Sequence, residues 1–192
     1  MGEASSTYGV PLLAVETDIT DDQQVQDAID RAAEFAGANG RVLRIALNCA
    51  GVGSGMRTVN KRGQPHDLGV FRKVLEINTV GTFNVCRLVA SKIVQADKEA
   101  GTTRGGVFIN VASIAAYEGQ IGQVAYAASK GGVVAMTLTL ARDLASAGIR
   151  TICIAPGVMA TPMLAMLPEE KKKGLYQDVP CPKRLGDPRE FA

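Results

Sequence analysis

Apolar residues along the chain follow two alternating patterns. Short apolar runs at residues 11–15, 42–48, 107–111 and 151–154 read as strands buried on both faces. Between them, apolar positions recur at helical spacing over 21–36, 67–77, 79–96 and 126–147. This alternation predicts an α/β fold, a doubly wound parallel sheet covered by helices, with residues 1–192 forming one domain. Boundary residues agree: Thr20 precedes the acidic Asp21-Asp22, and Gly148 follows the long fourth helix at its C′ position. The polar stretches 54–67 and 97–106 read as surface loops.

Open parallel sheets bind ligands beyond the carboxyl ends of their strands. Here those ends read Asp18, Asn48-Cys49-Ala50-Gly51, Ser113 and Pro156-Gly157, which places them on one rim. The fourth helix opens with Tyr126 and carries Lys130 four residues on, so phenol and ammonium share a helix face. A neighbouring cation favours the phenolate, which makes Tyr126 a candidate acid/base. Ser113, thirteen residues earlier at a strand end, either holds a substrate oxygen beside that phenol or simply terminates its strand. Asn78, between two helical segments, either opens the pair around a water or caps a helix.

Composition narrows the alternatives. A net charge of +2 and scattered basic residues, with one run at Lys171-Lys172-Lys173, give no nucleic-acid footprint. No apolar stretch reads as long enough to span a bilayer, so no membrane partner is expected. Cys49, Cys86, Cys153 and Cys181 lack metal-ligand spacing; three lie in apolar runs and are expected to be reduced and buried, with no metal. His66 is the only histidine and reads as a helix-entry residue rather than a base.

Asp18, NCAG (48–51), Asn78, Ser113, YAASK (126–130) and PG (156–157), in that order, resemble the short-chain dehydrogenase/reductase family over nearly the whole chain. The resemblance implies a Rossmann-like sheet and hydride transfer between a nicotinamide cofactor and a secondary alcohol or ketone. It implies that Asp18 and Ile19 flank the adenine, and that Asn48, Ala50 and Gly51 support it and the sheet. Ser113 would orient the substrate oxygen and Tyr126 pass the proton. Lys130 would hold the nicotinamide ribose, and Asn78 organise a proton-relay water. Pro156, Gly157, Val158 and Thr161 would hold the carboxamide.

Three longer segments, NKRGQPHDLGVFRKVLEINTVGTFNVCRLVA (60–90), GGVFINVASIAAYEGQIGQVAYAASKGG (105–132) and PKRLGDPREFA (182–192), are similar to the family's 3-hydroxyacyl-CoA dehydrogenase branch. That branch implies NAD, with NADP still open, and acyl-CoA or steroid-like alcohol substrates. It also implies a homotetramer, located in the mitochondrial matrix in a eukaryote or the cytoplasm in a bacterium. Gln120 and Gln123 then either contact substrate or belong to a solvated loop. The rival readings are an NADPH-dependent 3-oxoacyl-carrier-protein reductase and a non-catalytic binding protein of the same fold.

One departure is large. No GxxxGxG follows a strand near the N-terminus, and Gly51-Val52-Gly53-Ser54-Gly55 does not fit that spacing. The family's first two strands and its last strand have no counterpart, so the Rossmann-like sheet is expected to be incomplete. In strand order 3-2-1-4-5-6 the strands at 11–15 and 42–48 each lose a neighbour, and unpaired edges associate. The chain therefore reads as a fragment, a truncated gene model or an unusual isoform that folds poorly and binds NAD weakly by itself. Tight NAD binding by the soluble 192-residue chain in calorimetry would overturn that expectation.

Overall fold

The computed structural model describes residues 9–161, 174, 177, 179 and 181–191. The lysine run 171–173 lies outside the described residues. The first helix, α1 (Asp22–Ala38), starts where Asp21 accepts hydrogen bonds from the backbone N–H groups of Gln23 and Gln24, both at 3.0 Å. The cap is thus Asp21 and not Thr20, because the Asp21 carboxylate reaches two of the first-turn donors. The chain continues through β1 (Ile45–Asn48), α2 (Leu68–Leu75), a π-helical turn (Glu76–Val80) and α3 (Gly81–Glu99). Then follow β2 (Gly106–Val111), α4 (Val124–Asp143), β3 (Ile149–Ile154) and the short α5 (Pro188–Phe191). Gly148 sits at φ 66° between the turn Ala145–Ala147 and β3, the left-handed conformation expected of a C′ glycine.

The strands pair in parallel in the order β1-β2-β3, with Ala46, Phe108 and Thr151 in one row and Asn48, Asn110 and Cys153 in another. α3 lies over β1 and β2, α4 over β3, and α1 flanks α3. Their facing side chains, including Val25, Val89, Ile93, Phe108, Leu140 and Ile149, make the core. Residues 11–15 form no strand. Their side chains alternate between exposed and half-buried as a strand's would, but no described segment lies alongside to receive the backbone hydrogen bonds that define one.

The expectation of strands buried on both faces holds for one face only. Ile45 and Leu47 are 61% and 60% exposed, and Ile152 and Ile154 are exposed on the same side. Among the described residues no helix covers that side. α4 corrects a second expectation, since by length and composition it is apolar enough to cross a membrane. In this fold it instead packs along β3 and α2 and buries Ala125, Ser129, Lys130, Val133 and Leu140.

The turn between α3 and β2 is latched by one carboxylate. Asp97, buried, accepts the Gly105 N–H at 2.8 Å and pairs with Arg44 Nη1 at 2.6 Å. The Gly105 N–H, with Arg44 adding to it, holds the Asp97 carboxyl below its ordinary 3.8. A depressed folded pKa means that this stabilisation is complete above the ordinary carboxylate range and is lost as pH falls toward the lowered value. Asp97→Asn should therefore flatten the acid limb of the unfolding midpoint measured against pH, with a smaller difference from the parent at the lowest pH than at neutrality.

Candidate active site

The carboxyl ends of the three parallel strands open on one cavity of about 360 Å³. Each strand end reaches it differently. β1 runs out at Asn48, so Cys49, Gly51, Val52, Gly53 and Ser54 form one wall. β2 ends at Val111 and is followed by Ala112-Ser113, where Ser113 starts a tight turn by accepting the Ala115 N–H on its Oγ at 3.1 Å. That leaves the serine proton to donate into the cavity. Beyond β3, Pro156 accepts the Ile114 N–H at 2.9 Å, tying the second and third strand ends together.

α4 supplies the fourth wall. Tyr126 in its first turn is half-buried, and its hydroxyl has no protein partner among the described residues. Lys130 is 5% exposed and sits with its ammonium 5.9 Å from the Tyr126 ring centroid. Nζ donates to the Val111 carbonyl at 2.7 Å, one of its three N–H groups. Burial pushes the Lys130 ammonium below the ordinary lysine range, against the opposite pull of the Cys153 and Cys49 thiols. Gln120 and Gln123 join the same cavity, the Gln120 N–H donating to Gln123 Oε1 at 3.0 Å.

Asn78 lies behind this wall, fully buried in the π-helical turn. Its Oδ1 accepts the Val52 N–H at 2.8 Å, and its Nδ2 donates to the Val52 carbonyl and to Ser129 Oγ, both at 2.9 Å. The side chain therefore pairs with Val52 much as a neighbouring strand would, and links that wall to α4. The backbone comes so close that a Cβ on Gly51 would stand 3.2 Å from Asn78 Oδ1 and 3.4 Å from Lys130 Nζ. A side chain at position 51 would crowd the floor of the cavity, and glycine keeps it open.

Of the sequence-predicted residues, the cavity gathers Gly51, Ser113, Gln120, Gln123, Tyr126, Lys130, Pro156, Gly157, Val158 and Thr161. It does not gather Asp18, Ile19, Asn48, Ala50 or Asn78. Asp18 folds back on Thr20, accepting its N–H and hydroxyl at 2.9 and 2.8 Å. Ile19 packs against Gly81 at the start of α3. Asn48 donates to Asn110 Oδ1 at 2.8 Å and so braces β1 against β2. Ala50 is exposed.

Sequence reasoning missed Cys49, Ser54, Glu118 and Met159, which also line the cavity. Cys49 is exposed and not buried as its apolar surroundings imply, because β1 ends one residue before it. The buried Cys86, by contrast, has its thiol pushed up to about 11 by desolvation. The Ser54 hydroxyl is buried without a hydrogen-bond partner among the described residues, and no sequence signal announces it.

The wall past β3 is held from the C-terminal side. Met159 and Gly186 form a parallel bridge, with the Ala160 and Gly186 N–H groups donating to Gly186 and Val158 carbonyls at 2.8 and 2.9 Å. The Arg184–Glu190 pair fixes that segment and holds the Glu190 carboxyl down to about 2.

A parallel sheet whose strand ends converge with a Tyr-x-x-x-Lys helix on one cavity defines a class, and the comparison with known proteins agrees. The short chain dehydrogenase family matches residues 2–172, and the chain belongs to that family. It is similar to the human protein named 3-hydroxyacyl-CoA dehydrogenase type-2, at 52% identity over all of this chain and 72% of the human one. The crystal structure of the Mycobacterium avium protein of the same name is 43% identical, with a TM-score of 0.78 over 92% of this chain and 67% of that one. A 7α-hydroxysteroid dehydrogenase solved with NADH and 7-oxo-glycochenodeoxycholic acid is 27% identical, with a TM-score of 0.80 over 97% of this chain and 66% of that one. The chain thus spans about two thirds to three quarters of the length of these relatives.

The Asn78 clamp is testable. Asn78→Ala leaves the Val52 N–H and carbonyl and the Ser129 hydroxyl without that partner, and should cost about 2–4 kcal/mol in urea unfolding. Asn78→Asp keeps an acceptor for the Val52 N–H but sets a buried carboxylate against the Val52 carbonyl oxygen, and should cost at least as much as Asn78→Ala.

Proposed function

We propose that the chain carries the active site of an NAD-dependent dehydrogenase that interconverts 3-hydroxyacyl-CoA and 3-oxoacyl-CoA. One observation carries this reading. Ser113, Tyr126 and Lys130 line a single cavity, with the phenol unpartnered and the ammonium buried beneath it.

The residues fit the nicotinamide end of the cofactor. Gly51 leaves the floor free of side chains, Lys130 has N–H donors to spare for a ribose, and Pro156, Gly157, Val158 and Thr161 form the wall beside them. When bound, NAD⁺ supplies the hydride acceptor. Among the described residues no glycine-rich turn joins a strand to a helix N-terminus for the cofactor's phosphates, so the fit extends to that end alone.

Ser113 donates its hydroxyl proton to the substrate oxygen and fixes the carbon that bears it. Tyr126 takes up the alcohol proton on its phenolic oxygen during oxidation and returns it during reduction. The Lys130 ammonium favours the negative charge that develops on that oxygen. The balance is a secondary alcohol plus NAD⁺ giving a ketone, NADH and a proton. Gln120 and Gln123, bonded to each other on the substrate side, offer amide groups to the thioester end.

NAD as the cofactor is supported by the NADH complex of the hydroxysteroid dehydrogenase relative, and 3-hydroxyacyl-CoA as the substrate by the names of the human and mycobacterial relatives. Steroid-like alcohols are secondary substrates in this reading. Homotetramer assembly is supported by the exposed Phe83 and Val94 on α3 and Leu138 on α4. The compartment proposed is the mitochondrial matrix in a eukaryote, or the cytoplasm in a bacterium.

The test follows acetoacetyl-CoA reduction with cofactor raised to saturation. The parent should turn over with NADH in preference to NADPH. Tyr126→Phe should lose about 10²–10⁴-fold in kcat with unchanged circular dichroism. Full turnover by Tyr126→Phe would overturn the assignment.

A further inference from the structure

The opposite end of the sheet carries a second cleft, of about 500 Å³, that the dehydrogenase reaction does not use. It opens at the amino ends of the strands, where Arg150 at the start of β3 lies beside Val107 and Ile45 in the strand register. From Arg150 to Ile154 β3 advances roughly 13 Å, at ~3.3 Å per residue, so this cleft and the active cavity lie at opposite rims.

Four arginines line it: Arg41 and Arg44 ahead of β1, Arg104 ahead of β2, and Arg150 in β3. Among the described residues no carboxylate lines it. The nearest acid, Asp97, is already paired with Arg44 at 2.6 Å and bonded to the Gly105 N–H. Arg44 is thereby fixed in place, its Nη1 also donating to the Gly105 carbonyl at 3.1 Å. Arg41, Arg104 and Arg150 are exposed, and among the described residues none has an ion pair or a side-chain hydrogen bond.

The floor between them is bare backbone. Gly105 and Gly148, both at positive φ, pack directly on one another, and a Cβ on Gly105 would overlap the Gly148 carbonyl. The result is a glycine-floored recess bordered by three exposed arginines that have no ion-pair partner among the described residues. Like charges gathered without counter-charge repel one another, and a guanidinium matches phosphate oxygens two at a time.

We propose that this recess is a binding site for a small anion carrying adjacent phosphates, a diphosphate or larger, remote from the reacting centre. One phosphate satisfies one or two guanidinium groups, and three arginines bordering one recess suit a ligand with charge on neighbouring groups. Arg44 sets the back of the site through Asp97, while Arg41, Arg104 and Arg150 supply the donors.

Inorganic pyrophosphate is the probe, titrated into the chain by calorimetry beside inorganic phosphate. Pyrophosphate should bind more tightly than phosphate and weaken with added salt. Arg104→Ala and Arg150→Ala should each reduce pyrophosphate affinity about tenfold or more, and Arg150→Lys less than Arg150→Ala. Arg57→Ala, in the exposed loop beyond the carboxyl end of β1 and so at the opposite rim, should leave the affinity unchanged. Circular dichroism of each variant establishes that it is folded. The site is overturned if the parent does not bind pyrophosphate, if Arg104→Ala and Arg150→Ala bind as the parent does, or if Arg57→Ala weakens binding as much as they do.

Discussion

The buried ammonium of Lys130 is the constraint on which the rest of the rim depends. A cation withdrawn from water needs fixed acceptors, and the protein offers the Val111 carbonyl at the end of the central strand. That bond fixes the first turns of α4 against the tip of β2 and sets Tyr126 above the same point. Ser129, the next residue back, extends the arrangement by bonding Asn78. Through Asn78 the loop after β1 is drawn in as well. Two strand ends and a helix are thus registered by a short chain of polar contacts, running from Val111 through Lys130, Ser129 and Asn78 to Val52.

The two faces of the sheet are treated differently. On one, α3 and α4 seal Ala46, Phe108 and Ile149 from water, and α1 buttresses α3. On the other, Ile45, Leu47, Ile152 and Ile154 meet solvent. Parallel strands are ordinarily covered on both sides, so this side carries apolar area that favours contact with other surfaces. The rims divide the work in another way. The carboxyl rim gathers hydroxyls, amides and the Glu118 carboxylate around one ammonium, whereas the amino rim gathers arginines around bare glycine backbone.

Much of this was legible in the chain. Helical spacing located all four main helices to within a few residues, and the apolar runs located β1, β2 and β3. Strand ends foretold the rim because in a parallel sheet every carboxyl end faces the same way. What was hidden depended on partners. Residues 11–15 alternate like a strand, yet a strand exists only when a neighbour receives its hydrogen bonds. Cys49 sits in an apolar run, but its exposure is decided by β1 stopping one residue earlier. Asn78 stood out as a polar residue between helices, while its pairing with Val52 depends on a loop 26 residues away in sequence. The arginines at 41, 44, 104 and 150 are scattered, and only strand register brings them together.

The π-helical turn at Glu76–Val80 has a wider effect than a local widening. Each residue of an α-helix advances the azimuth by ~100°, so one extra residue resets the phase of everything downstream. Upstream of the insertion, α2 turns its apolar side to α4; downstream, α3 turns Cys86, Val89, Ala90 and Ile93 to the sheet. A single nearly continuous rod therefore serves two separate packing directions. Shortening it by one residue between 76 and 80 would rotate one half relative to the other, so that either the active-site wall or the sheet's cover would lose its mate.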